Sequence, residues 1–276
     1  MISNRIIPVP FCKYTKSIFR MKLLRTKICG WVVAAILIAP ACVSADTPSS
    51  TQKRSYEATA VKAGRFFKYR EWANAAAMYE LMLEEQPKVC DTYAHAIVTA
   101  GMRSLPDYEI ALAEKAQANL VPVDSLLQGV RRVSFSLGET SQYEKFLLLL
   151  KERQRWLGRS IDKQLLQYYL FRRNAQEIEK YSRIMLSGAP DNADFMLALA
   201  QGRLLNGDYE GAMATYRDVL ALYPDNYTAL LYLGNYCRDN GKDADALHYL
   251  RRAQALKPTP YVDECISRLE AGAESK

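Results

Sequence analysis

Residues 193–226 read ADFMLALAQGRLLNGDYEGAMATYRDVLALYPDN, and residues 227–260 read YTALLYLGNYCRDNGKDADALHYLRRAQALKPTP. Each segment is 34 residues long, and laying one over the other aligns side chains of like character. Leu199-Ala200 falls on Leu233-Gly234, Gly207 on Gly241, Ala212 on Ala246, Tyr216 on Leu250, Val219 on Ala253 and Pro224 on Pro258. Self-similarity at a fixed period of this size marks a repeat architecture, in which one small unit recurs and stacks on itself. Leu197, Leu204 and Leu205 mix with Ala198 and Ala200 at helical spacing, and small side chains let two helices approach closely. Gly207 sits mid-segment, where a residue without a Cβ takes a left-handed turn without a clash. Pro224 and Pro258 disfavour helix at the residue before them and mark the stop. Two helices joined by a tight turn are predicted in each segment.

These residues carry a resemblance to the tetratricopeptide repeat family. The resemblance implies an all-α, right-handed superhelical solenoid of antiparallel helix pairs, with small residues at the crossings and a proline after the second helix. A third copy opens the folded part at residues 56–89, with Ala63 and Ala75 at the crossing, Tyr79 and Met82 in the core, and Pro87 at the stop. Glu71-Trp72 stands where a glycine-led turn is usual. Residues 90–122 are a looser unit: Tyr93, Ala96, Ile97 and Ala100 mark one helix, and Ala111, Lys115 and Ala118 mark a second that reads as displaced by two residues. A two-residue insertion in the turn at Pro106 would account for the shift. Residues 123–156 and 159–190 are weaker still, and resemble degenerate repeats around Gly138 and ahead of Gly188 and Pro190. Residues 261–271 are predicted to be a capping helix over the apolar edge of the last repeat. The expectation is therefore about six hairpins and a cap over 56–276.

The chain has 276 residues and a formal net charge of +7. Residues 1–45 hold Arg5, Lys13, Lys16, Arg20, Lys22, Arg25 and Lys27 and no acidic residue, so the remainder is neutral. A neutral body is a poor fit to a non-specific nucleic-acid binder. From Met21, a basic flank (Lys22, Arg25, Lys27) precedes an apolar run from Ile28 to Ala41, followed by small residues. That is the pattern of a secretory signal, with Met21 as the start it suggests. Cleavage after Ala45, lipidation at Cys42 and an uncleaved anchor are the three outcomes it allows. All of them place the body outside the cytoplasm, in the periplasm or on the periplasmic face of the outer membrane. Residues 46–55 are polar and read as a flexible tether.

No chemistry announces itself. His95 and His248 lie in distant repeats, and a solenoid unit touches only its neighbours. No Cys/His cluster has metal-ligand spacing, and there is no phosphate-binding glycine loop or nucleophile elbow. The pair Glu84-Glu85 reads as a solvated helical face. Among Cys90, Cys237 and Cys265, a Cys237–Cys265 disulfide and buried free thiols are both open. A non-catalytic scaffold with no cofactor is expected, binding a protein or peptide segment. A structural subunit docked through its convex face, and a specificity domain or cryptic hydrolase, are the alternatives.

The resemblance also implies a site. In the family, positions 2, 5, 9, 12 and 13 of each repeat face the inner groove. Carried onto this chain, they give Thr228, Leu231, Asn235, Arg238 and Asp239 in the last repeat. The repeat before gives Asp194, Leu197, Gln201, Leu204 and Leu205, and the first gives Glu57, Gly64, Phe67 and Lys68. Asn235 and Arg238 are expected to hydrogen-bond an extended peptide or its carboxylate. Leu231 stands where members that clamp a carboxylate terminus carry lysine, which argues against that specialised mode.

Overall fold

The computed structural model describes residues 50–274. The leader at 1–45, with Met21 and Cys42, lies outside the described residues, as do residues 46–49. Thirteen α-helices and one 3-10 turn make up the described residues, with no strand among them. They run as pairs: α1 (Ser50–Lys68) with α2 (Trp72–Glu85), α3 (Cys90–Met102) with α4 (Pro106–Ala118), and α5 (Val123–Ser136) with α6 (Thr140–Arg153). Then follow α7 (Gly158–Arg172) with α8 (Ala175–Gly188), α9 (Ala193–Leu205) with α10 (Tyr209–Leu222), and α11 (Tyr227–Asp239) with α12 (Asp243–Leu256). A last helix, α13 (Pro260–Glu274), packs on α12. The expected six hairpins and trailing helix are the architecture observed. The first helix begins at Ser50, inside the stretch read as a tether. Ser50 to Ser55 are polar but hold no proline or glycine, and polarity alone does not stop a helix.

The six hairpins turn in the same way. The residue that takes a positive φ is Arg70, Ser104, Gly138, Arg173, Gly207 or Gly241, with spacings of 34, 34, 35, 34 and 34 residues. After each, the next amide donates back to a carbonyl five residues earlier: Glu71 to Phe66, Leu105 to Ala100, Glu139 to Ser134, Asn174 to Tyr169, Asp208 to Arg203 and Lys242 to Cys237, all within 2.9–3.2 Å. This is the Schellman geometry that satisfies helix-end carbonyls. Three of the six turns use glycine; the other three place an ordinary side chain where a left-handed backbone costs about 1–2 kcal/mol.

This register corrects the reading of residues 90–122. Ser104 follows Arg70 by the normal period, and α4 starts as far after α2 as the period requires, so that turn holds no insertion. The one extra residue lies later, where the 3-10 turn Arg155–Leu157 joins α6 to α7. What makes the middle units look irregular is the crossing point. The clear repeats cross through Ala63/Ala75, Ala200/Ala212 and Gly234/Ala246, all of them small. The equivalent pairs in the middle are Ile97/Glu109, Arg131/Tyr143 and Leu166/Ile178. Large side chains hold the helices of a pair apart. Accordingly α5 and α6 touch least within any hairpin, and α5 docks mainly on α3. There Gly129 allows the approach, because a Cβ on it would lie 2.9 Å from that of Ala94.

The core runs through the stack rather than around a centre. Tyr93, Tyr143, Tyr168 and Tyr216 are among the largest fully buried side chains, and Tyr216 stacks on Tyr232 at 4.9 Å. Most tyrosines with helical spacing are therefore packing residues. The solenoid is closed at its C-terminal end by α13, whose Val262, Cys265, Ile266 and Leu269 are buried with Cys237, Ala246 and Leu250.

Candidate protein-binding face

The helices differ in what they leave to solvent. The expected site residues all lie on three odd-numbered helices, α1, α9 and α11.

Phe67 lies in the core. It is only 8% exposed, and its ring meets Trp72 at 5.5 Å, Tyr79 at 6.2 Å and His95 at 5.1 Å. It is a core residue joining α1, α2 and α3, and its neighbour Lys68 is the exposed one. Asn235 and Arg238 are placed on one face, but α13 uses them. The Tyr261 hydroxyl donates to Asn235 Oδ1 at 2.9 Å, and Arg238 Nη1 reaches Tyr261 Oη at 3.5 Å and Cys265 Sγ at 2.8 Å. Asp239 is exposed and pairs with Arg238 at 2.9 Å. These polar groups dock the last helix rather than stand open to a peptide. Leu231 packs against the same terminal cluster, and Leu197 against the cluster between α9 and α11. Thr228 is half-buried, and Gln201 is exposed.

An open concavity lies elsewhere. A cleft of about 370 Å³ is lined by Gln128, Arg131, Arg132 and Phe135 of α5 and Gln167 of α7. Arg131 Nη1 donates to Gln167 Oε1 at 3.4 Å, and its guanidinium lies 5.2 Å from the centre of the Phe135 ring. Phe135 in turn meets Phe171 at 4.8 Å, and Phe171 is 56% exposed. Arg132 reaches across to Asp91 of α3. Lys163, Gln167 and Phe171 follow one another at four-residue spacing, so they form one stripe along α7. None of these residues was singled out from the sequence, because they lie in the two units that depart most from the repeat pattern. Their signal was available: Lys163, Gln167 and Phe171 occupy positions 5, 9 and 13 of the unit that starts at 159.

The rest of the surface offers little chemistry. Among the described residues no group of three or more His, Cys, Asp or Glu side chains is arranged to hold a metal ion. His95 packs in α3 with its Nδ1 2.9 Å from the Asp91 carbonyl, whereas His248 lies against Tyr249 in α12. The three described cysteines are free thiols, Cys237 and Cys265 buried and Cys90 half-buried. Burial raises the Cys90 thiol above its ordinary value, with Asp91 adding to the effect and Arg132 opposing it. That direction disfavours the thiolate a nucleophile would need. A second open cleft, of about 630 Å³, is lined by Asp208, Tyr209, Glu210, Tyr236 and Asp239 at the turn edge between α9–α10 and α11. No described helix is long and apolar enough to cross a membrane.

Comparison with known proteins agrees with this architecture. A tetratricopeptide repeat family model matches residues 172–227 and 197–259. No curated protein matches the chain in sequence. Among solved structures, the chain is similar to the C-terminal part of a TPR repeat-containing protein from Cytophaga hutchinsonii, at 15% identity over 70% of this chain and 77% of that one, with a TM-score of 0.43. It is also similar to Pseudomonas aeruginosa pilF, at 14% identity over 80% of this chain and 99% of that one, with a TM-score of 0.44. A tetratricopeptide repeat protein from Parabacteroides merdae aligns at 13% identity over 79% of this chain and 99% of that one, with a TM-score of 0.35. The family model thus identifies tetratricopeptide repeats at residues 172–259, and the six described hairpins keep one period.

Proposed function

We propose that this protein is a non-catalytic scaffold that holds a segment of another protein along the face lined by its odd-numbered helices. The observation that carries the reading is the α5–α7 cleft, where polar and aromatic side chains stand exposed together on two neighbouring odd helices. A rigid stack presents such a face preformed, so little ordering of the receptor opposes binding. The leader sequence adds a companion proposal, that the body works in the cell envelope after export, either free after cleavage near Ala45 or anchored through a lipidated Cys42. Intact-mass measurement of the mature protein decides between these: a mass starting near Asp46 supports release, and one starting at an acylated Cys42 supports anchoring.

A specific observation favours a second reading, docking through the even-numbered helices. Five of those six helices expose one aliphatic side chain each: Leu81 at 50%, Leu148 at 42%, Ile184 at 39%, Leu222 at 49% and Leu256 at 44%. Such residues along one side of a stack suit a permanent neighbour. Photo-crosslinking side chains placed at Lys163 and Gln201, or instead at Leu148 and Asp218, separate the two readings. The groove reading expects adducts from Lys163 and Gln201; adducts confined to Leu148 and Asp218 would replace it with the docked-subunit reading.

A further inference from the structure

We infer that the α5–α7 cleft is selective for an acidic protein segment in which carboxylates alternate with an aromatic or large aliphatic side chain. The inference rests on the groove reading and narrows it to one place and one partner chemistry.

The cleft arises from a local departure in the chain. Arg131 occupies the crossing position that alanine or glycine fills in the clear repeats, and Tyr143 stands opposite. Two large side chains there keep α5 and α6 apart, and Arg131 turns instead toward Gln167 of α7. The result is a guanidinium held between a ring face and an amide, half-buried and with no ion pair to a carboxylate among the described residues. Lys163 is exposed one helical turn before Gln167, on the same face, and it too has no ion pair among the described residues. Arg132, already joined to Asp91, keeps a side chain 68% exposed. Arg131 in the cleft and Lys163 beside it are therefore cations without an ion pair among the described residues, which is the complement of a carboxylate-bearing segment. A guanidinium fixed in place binds a carboxylate with two directed hydrogen bonds, and fixing it beforehand removes much of the ordering cost. The Phe135–Phe171 pair supplies an apolar end with one ring largely open, which an aromatic or aliphatic side chain would cover. Glutamine side chains at 128 and 167 can pair with the backbone of an extended segment, while the acidic cleft near Asp208, Glu210 and Asp239 lies away on α9–α11 and has the opposite preference.

The test is fluorescence anisotropy on the full chain, with a labelled peptide Asp-Glu-Phe-Asp-Glu-Phe and its counterpart Lys-Lys-Phe-Lys-Lys-Phe. The acidic peptide is expected to bind saturably, with an affinity that falls as salt is added. The lysine peptide is expected not to bind at the cleft. K163E, a change at an exposed position, should weaken the acidic peptide several-fold, and R131E by about tenfold or more, the scale of a lost charged hydrogen bond. Thermal melting of each variant shows whether it folds; if R131E does not, K163E alone carries the test. No saturable binding of the acidic peptide, equal binding of both peptides, or binding indifferent to K163E would overturn the inference. The groove reading falls separately: it fails if partner crosslinks leave Lys163 and Gln201 for the even helices, and it stands if those crosslinks persist while the acidic peptide does not bind.

Discussion

At the scale of single residues, two kinds of position are sensitive to the side chain they carry. Gly207 and Gly241 hold φ of 83° and 70°, and Arg173 holds 55°. An added Cβ at Gly207 meets no neighbour within 4 Å, so Gly207→Ala isolates the backbone cost. It should lower stability by about 1–2 kcal/mol, and Arg173→Gly should change it by less, and in the opposite direction. Urea midpoints measure both. The second kind is Glu109, buried at the crossing where the clear repeats have alanine. Burial pushes its carboxyl up to about 7, with the Gln142 amide, 2.8 Å away, and Lys145 pulling it back down. A carboxyl raised in the folded state is favoured neutral, so its contribution is full in acid, below the unfolded value, and is lost as pH rises through about 7. Glu109→Gln removes the loss: it should melt several degrees above the parent at about pH 8 and close to it at about pH 4. A pH-independent difference would contradict this. The glycine turns were legible because glycine announces them. Arg70, Ser104 and Arg173 were not, since nothing in those side chains signals a left-handed backbone, and only the shared period reveals them.

At the scale of helices, the best-read elements carry local signals of their own. The Asn192 and Asn226 side chains accept from the amides of Phe195 and Ala229 at 3.1 and 3.0 Å, one full period apart, and fix the starts of α9 and α11. Asn192→Ala should cost about 1 kcal/mol, seen as faster amide exchange in the first turn of α9. The capping helix was legible from its apolar spacing, and Ile266→Ala should expose the end of the stack at a cost of about 2–4 kcal/mol in denaturant titrations. The candidate site was read less well, for physical reasons. Asn235 and Arg238 hold groove positions, but they lie in the last repeat, where α13 takes the place a ligand would have and consumes their hydrogen bonds. Phe67 holds a groove position by count, yet three aromatic neighbours draw it into the core. Gln128, Arg131 and Phe135 were passed over because their unit lacks the small crossing residues that make a repeat recognisable. The same substitution that hid the unit opened its cleft.

At the scale of the whole molecule, a solenoid gathers recognition from several helices along one side, and its specificity lies where that side departs from uniformity. Here the departure is the splayed α5–α6 pair, flanked by hairpins whose two helices pack more closely. The even-helix side, with its exposed leucines, is the competing surface. Hydrogen–deuterium exchange on the full chain, with and without a partner recovered by crosslinking, is the most direct test of which side works. The account predicts that the partner slows exchange in α5 and α7 and leaves α6, α8 and α10 unchanged. Protection confined to the even-numbered helices would contradict it.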